Sequence, residues 1–170
     1  SGNILRTDQV NALPPTSMLT LGPSTYGGLN LNGKSQTIGQ LVCTHAIAGT
    51  RIVYSTTPAT LTVTQNVNTV FNGSITGAVS VVKMGAGTLT LSNTNTLYGS
   101  VVVSNGTLLV NSTGTLGANC TNVVVMAGGT LTLSNSVGIA DSASVWMPGA
   151  GTSTAKINLA AGVNEAVGWL

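Results

Sequence analysis

VSVVKMGAGTLTLSNTNTLYGSVVVSNGTLLV, Val79 to Val110, holds the same pair of β-strands twice. Two β-branched runs, Val79–Val82 and Val101–Val103, are each followed by a strand that opens on Gly-Thr-Leu. Those strands are Gly87-Thr88-Leu89-Thr90-Leu91 and Gly106-Thr107-Leu108-Leu109-Val110. Apolar residues at every second position, bounded by Gly and Asn, are the signature of half-buried strands. Leu89 and Leu91 then face a core while Thr88 and Thr90 face solvent, because side chains alternate along a strand.

The unit recurs on both sides of this stretch, and repetition at a period of 20 to 50 residues indicates a solenoid or an array. One set of strand centres falls near Leu41, Val81, Val102, Val124 and Val145, and a second near Leu61, Leu89, Leu108, Leu131 and Ile157. Arg51-Ile52-Val53-Tyr54 supplies a further strand between Leu41 and Leu61. No segment carries a helical period. The expectation is an all-β solenoid of six or seven coils over residues 27–170, a rod roughly 30 Å long at the usual strand spacing. Gly85, Gly87, Gly106, Gly128 and Gly129 are expected at corners with positive φ, which glycine tolerates. Asn93, Asn95, Asn111 and Asn135 suit the same corners, in the left-handed region or as stacked amide ladders.

Lys83-Met84-Gly85-Ala86-Gly87-Thr88-Leu89-Thr90-Leu91-Ser92, then Asn95-Thr96-Leu97-Tyr98-Gly99, then Val101–Val103 and Gly106-Thr107-Leu108 resemble the autotransporter-associated β-strand repeat. Leu29–Gly33 with Gln36–Gly39 is similar to the segment that often precedes that repeat, and Ala155–Glu165 to a closing segment. The resemblance implies a right-handed parallel β-helix exported to the bacterial cell surface or the extracellular medium. It carries over no catalytic residues.

Residues 1–26 differ from the rest. Arg6, Asp8 and Pro14-Pro15 precede Met18-Leu19-Thr20-Leu21. The prolines exclude a helix and favour an extended arm with one short strand, which either begins the stack or adds to a neighbouring molecule. Leu13, Pro14, Pro15, Met18, Leu19 and Leu21 at this end, with Trp169 and Leu170 at the other, are the candidate assembly interface. Trp146 and Trp169 are otherwise expected to pack in the core.

Composition narrows the function classes. Only 5% of the 170 residues are charged, five basic and three acidic, against about a quarter in a typical soluble domain. The net charge of +2 is too small and dispersed for nucleic acid or an anionic membrane. No run approaches the roughly 20 apolar residues of a membrane helix, and six aromatics are too few for the girdles of an outer-membrane barrel.

The only carboxylate side chains, Asp8, Asp141 and Glu165, are far apart in sequence, and His45 is the only histidine. A hydrolase or lyase needs clustered carboxylates, so no enzyme, metal or cofactor is expected. Cys43 and Cys120 are either two buried small residues on different coils or a disulfide, since spacing does not reveal connectivity. Sequons occur at Asn72, Asn105, Asn111 and Asn119, as coincidence would produce in so Asn- and Thr-rich a chain.

Two functions remain. The first is a secreted structural subunit that stacks head to tail into a filament, sheath or surface layer, because exposed end strands template further pairing. The alternative is a fragment of an autotransporter-type passenger, an adhesin or stalk whose lateral face meets a host or neighbouring-cell surface.

Overall fold

The computed structural model describes residues 3–22, 27–45, 51–148 and 154–168. In chain order the strands are β1 (Asn3–Arg6), β2 (Met18–Thr20), β3 (Gly27–Asn30), β4 (Gln36–Ile38), β5 (Gln40–Val42), β6 (Arg51–Thr64), β7 (Thr69–Phe71) and β8 (Ser74–Met84). They continue as β9 (Thr88–Leu91), β10 (Thr96–Leu97), β11 (Val101–Val103), β12 (Gly106–Val110), β13 (Asn122–Val125), β14 (Gly129–Leu133), β15 (Ser144–Trp146) and β16 (Lys156–Leu159). No helix occurs among the described residues, and none is therefore long and apolar enough to cross a membrane.

Every strand pairing is parallel, and the chain winds into a β-solenoid of about six turns. Three stacks of strands run along it. The first comprises β1, β3, the early half of β6, the early half of β8, and β10. The second comprises β4, the late halves of β6 and β8, then β11, β13 and β15. The third runs β7, β9, β12, β14, β16, with β2 and β5 leading into it through the Cys43–Phe71 bridge. The first two stacks form one sheet because β6 and β8 each run through both. Register shifts between Ser55 and Ala59, where Thr56, Thr57 and Pro58 are exposed.

Alternation supplies the core. Leu89, Leu108, Leu131 and Ile157 are register partners on successive turns, and so are Leu91, Val110, Leu133 and Leu159. All but the last of each column are buried. The three Gly-Thr-Leu strands therefore stack in register, with their threonines outward.

Two strand centres change places relative to the sequence reading. Leu61 pairs with Val81 in the second stack, while Leu41 pairs with Leu19 and leads into the third. Ala59-Thr60-Leu61 mimics the Gly-Thr-Leu signal. The true third-stack strand of that turn is Thr69–Phe71, three residues of which only Phe71 is buried, too short for a period to register. Residues 3–22, where one short strand is expected, contribute two: β1 lies on β3 and β2 on β5.

The corners also depart from expectation. Gly85, Gly106 and Gly128 have positive φ, but Gly87 and Gly129 do not. At Gly87 the constraint is proximity, since a Cβ there would lie 2.3 Å from the Val67 carbonyl oxygen. The four asparagines are not left-handed; that conformation belongs to Asn11 and Asn32. Asn93, Asn95 and Asn135 link turns through backbone carbonyls instead of stacked amides, and Asn111 Nδ2 donates to the Ser92 hydroxyl of the adjacent turn (2.9 Å). Asn93 Nδ2 donates to Asn72 O (3.2 Å), and Asn135 Nδ2 donates to Asn111 O (2.6 Å) and Gly114 O (2.7 Å). Asn95, fully buried, accepts from the Ile75 N–H (2.7 Å) and donates to Asn93 O (3.0 Å) and Thr115 O (2.6 Å). A buried amide costs little only when satisfied in this way.

Candidate functional sites

Among the described residues the ionisable groups come together only as Arg6 with Asp8 and Asp141 with Glu165. Asp8 is exposed and paired with Arg6 at 3.1 Å. His45 is exposed. Among the described residues no three His, Cys, Asp or Glu side chains converge on a metal position. Asp141 and Glu165, read as remote in sequence, are brought near one another on the last turns, where the Asp141 charge acts on Glu165. Glu165 is held by the backbone N–H groups of Gly138 (3.3 Å) and Ile139. Its partial burial raises its pKa above the usual carboxylate range, with Asp141 adding to the shift.

Cys43 and Cys120 are both buried free thiols on different turns. Burial pushes Cys120 up to about 11, which leaves it an unreactive thiol at neutral pH.

Lys83 is the least expected group. It occupies a core column between Val63 and Val103 and is fully buried. Its Nζ donates to the carbonyls of Met84 (2.9 Å), Gly85 (2.8 Å) and Asn105 (3.2 Å), which ties one corner to the next turn. Burial pulls its pKa down to about 8. The parity of Val79, Val81 and Lys83 places it inward. Arg51 is also buried and donates from Nε to Gly22 O at 3.0 Å.

Two features remain that could meet a partner. The first is the pair of open ends. All four residues of β1 are exposed, with Ile4 and Leu5 about half accessible at 49% and 50%, and β1 pairs only with β3 among the described strands. At the other end a largely apolar pocket of about 220 Å³ is lined by Leu133, Val145, Ile157, Leu159 and Val167, with the Glu165 carboxylate at its wall. Of the candidate interface residues, Pro14, Pro15 and Met18 are exposed, Leu13 and Leu19 are half-buried against the core, and Leu21 is buried within it. Trp169 and Leu170 lie outside the described residues. Trp146, expected in the core, points outward and is 63% exposed, because Val145 takes the inward position of β15.

The second feature is a lateral groove that no sequence motif announced. One part, about 430 Å³, lies between Tyr54 and Tyr98 over Thr76, Gly77 and Thr96. It joins at Thr96 a second part of about 580 Å³, bounded by Thr115, Val137, Ile139 and Asp141. Asn30, Tyr54, Thr76 and Thr96 are outward register partners on successive turns. Only the register reveals that Tyr54 and Tyr98 flank one site, since unequal turn lengths hide it in the sequence.

A stretch of 106 residues, 62% of the chain, is 31% identical to the Adhesin BmaC autotransporter of Brucella suis biovar 1 (strain 1330). The match covers 3% of that protein's length. No family model matches the chain, and no solved structure matches it.

Proposed function

We propose that this chain is a segment of a long, non-catalytic β-solenoid carried on a bacterial surface, of the autotransporter passenger type, serving as an adhesive stalk. The observation that carries the reading is the pair of open ends. Exposed apolar side chains along β1 and a partly exposed core at β16 are strand edges on which further parallel strands can pair. The similarity to an adhesin autotransporter points the same way, and the in-register Gly-Thr-Leu strands fit the autotransporter-associated repeat. Few charges and many Thr and Asn side chains suit a rod whose stability comes from axial repetition.

The same open ends favour a second reading, in which copies stack head to tail into a regular filament, a heterologous contact that does not close. Small-angle scattering with negative-stain electron microscopy separates the two. The stalk reading predicts short rods, about 30 Å long for six turns, that pair irregularly as concentration rises and stay single in an Ile4→Lys/Leu5→Lys variant. Long filaments of constant axial repeat would establish the polymer instead. A compact monomer at millimolar concentration, indifferent to the two lysines, would count against both.

A further inference from the structure

The geometry points to the lateral groove as a binding site for a neutral oligosaccharide, laid along the solenoid axis and stacked on Tyr54 and Tyr98. This deepens the stalk reading by naming a ligand class, and rests on it only in that the groove must stay open to solvent.

The floor of the groove is made where the chain bends between the first two strand stacks. Gly77 stands there with φ 74°, and a Cβ on it would lie 2.4 Å from the Ser55 carbonyl oxygen. Glycine is thus required by the bend, and its missing side chain leaves an open trough between the two tyrosines. Tyr98 is 59% exposed and Tyr54 is half-buried. The Tyr54 level is two turns from that of Thr96 and Tyr98, or about 10 Å along the axis.

Lengthwise, the trough passes from Tyr54 through Thr76 and Thr96 to the Thr94–Thr115 bridge, then to the turn joined by Leu116 N–H to Gly138 O. That is four strand spacings, about 19 Å, which suits an extended chain better than a single ring.

The lining selects the ligand class. Among the described residues no charged side chain lines the groove between Tyr54 and Tyr98, and Asp141, at the far end, is the only one along its length. Phosphate, sulfate and uronate have no cation to meet there, which excludes nucleic acid and acidic glycans. A peptide would need backbone partners, but the carbonyls of Tyr54 and Gly77 already accept from Leu31 and Tyr98 of adjacent turns. Acyl chains would be opposed by the threonine row.

What the groove offers is two phenol side chains at one end and threonine hydroxyls on successive turns. Among the described residues those of Tyr54, Tyr98, Thr76, Thr96 and Thr115 make no side-chain hydrogen bond within the chain. Aromatic faces with hydroxyls alongside match a sugar ring, which is apolar on its C–H face and hydroxylated at its rim.

The test is a titration of the purified chain with cellohexaose, maltohexaose, mannohexaose and chitohexaose, and with a heparin hexasaccharide as the acidic control. Amide shifts are followed at Thr76, Gly77, Thr96 and Tyr98. At least one neutral hexasaccharide is expected to shift these amides in a saturable way. Tyr98→Ala and Tyr54→Ala are each expected to weaken that binding at least tenfold, and Tyr98→Ala to leave Tm unchanged. The proposal is overturned if no neutral hexasaccharide shifts these amides up to millimolar concentration, if only heparin does, or if binding survives Tyr98→Ala at full strength. End-to-end pairing is read in separate samples. Binding without pairing would leave the groove and remove the stalk, and pairing without binding the reverse.

Discussion

Leu108→Ala is expected to lower the unfolding free energy by about 3 kcal/mol, within the 2 to 5 kcal/mol span of Leu truncations in tight cores. Leu108 has no solvent exposure and lies between Leu89 and Leu131 in a column of register partners. Truncation removes the transfer energy of the buried methyl groups and leaves a cavity that in-register strands on both sides are too constrained to fill. In a solenoid each turn touches only its neighbours, so a loss at mid-stack weakens two interfaces at once. Ile157 belongs to the same column but sits half-buried on the terminal strand β16. Ile157→Ala is expected to cost about 1 kcal/mol, since much of its side chain is already in water. Urea unfolding followed by far-ultraviolet circular dichroism measures both. Equal costs at the two positions would mean the column is not continuous.

Gly106→Val is expected to be at least as damaging, preventing folding or costing more than about 4 kcal/mol. Two penalties coincide at this corner. Gly106 has φ 67°, a conformation that costs a residue with a Cβ roughly 1–2 kcal/mol and a β-branched one more. A Cβ there would also lie 2.3 Å from the Gly85 carbonyl oxygen and 2.7 Å from that of Gly87. These are backbone atoms of the preceding turn, fixed by the Lys83 contacts with Gly85 and Asn105. Gly162 separates strain from clash, because it has φ 79° with nothing within 4 Å of its Cβ position. Gly162→Ala should therefore cost only about 1 kcal/mol. Soluble yield and Tm of the two variants report the difference, and a well-folded Gly106→Val protein would show that the corner relaxes more freely than its packing indicates.

The strands themselves were legible because period 2 is a local signal. Thr88–Leu91, Gly106–Val110 and Gly129–Leu133 each carry it within five residues, and they stack on one another in the structure. What the sequence hides is the length of each turn. Leu89 pairs nineteen positions on with Leu108, whereas Cys43 bridges twenty-eight positions on to Phe71. A motif-based alignment therefore put Leu61 in the third stack, although its register partners are Gln36 and Val81. For the same reason the sequence sets Asp141 apart from Glu165, and Tyr54 apart from Tyr98, which the winding of the chain brings together. Side-chain parity held more than was taken from it: it turns Lys83 inward and Trp146 outward, against what their polarity alone suggests. The asparagine corners show the opposite limit, since residue type identified the positions but not the carbonyls they would find.

Disulfide trapping on the outward threonines tests most directly whether one repeat makes one turn. Thr88 and Thr107 are register partners on adjacent turns, and Thr130 lies one turn further. Adjacent strands are about 4.8 Å apart, within reach of a disulfide, whereas two spacings, about 10 Å, are beyond the roughly 7 Å limit between Cα atoms. The account predicts that the Thr88→Cys/Thr107→Cys and Thr107→Cys/Thr130→Cys pairs close under mild oxidation, and that Thr88→Cys/Thr130→Cys stays reduced. Closure of the Thr88→Cys/Thr130→Cys pair within one chain, with the other two open, would contradict the stacking order on which the fold, the open ends and the groove all depend.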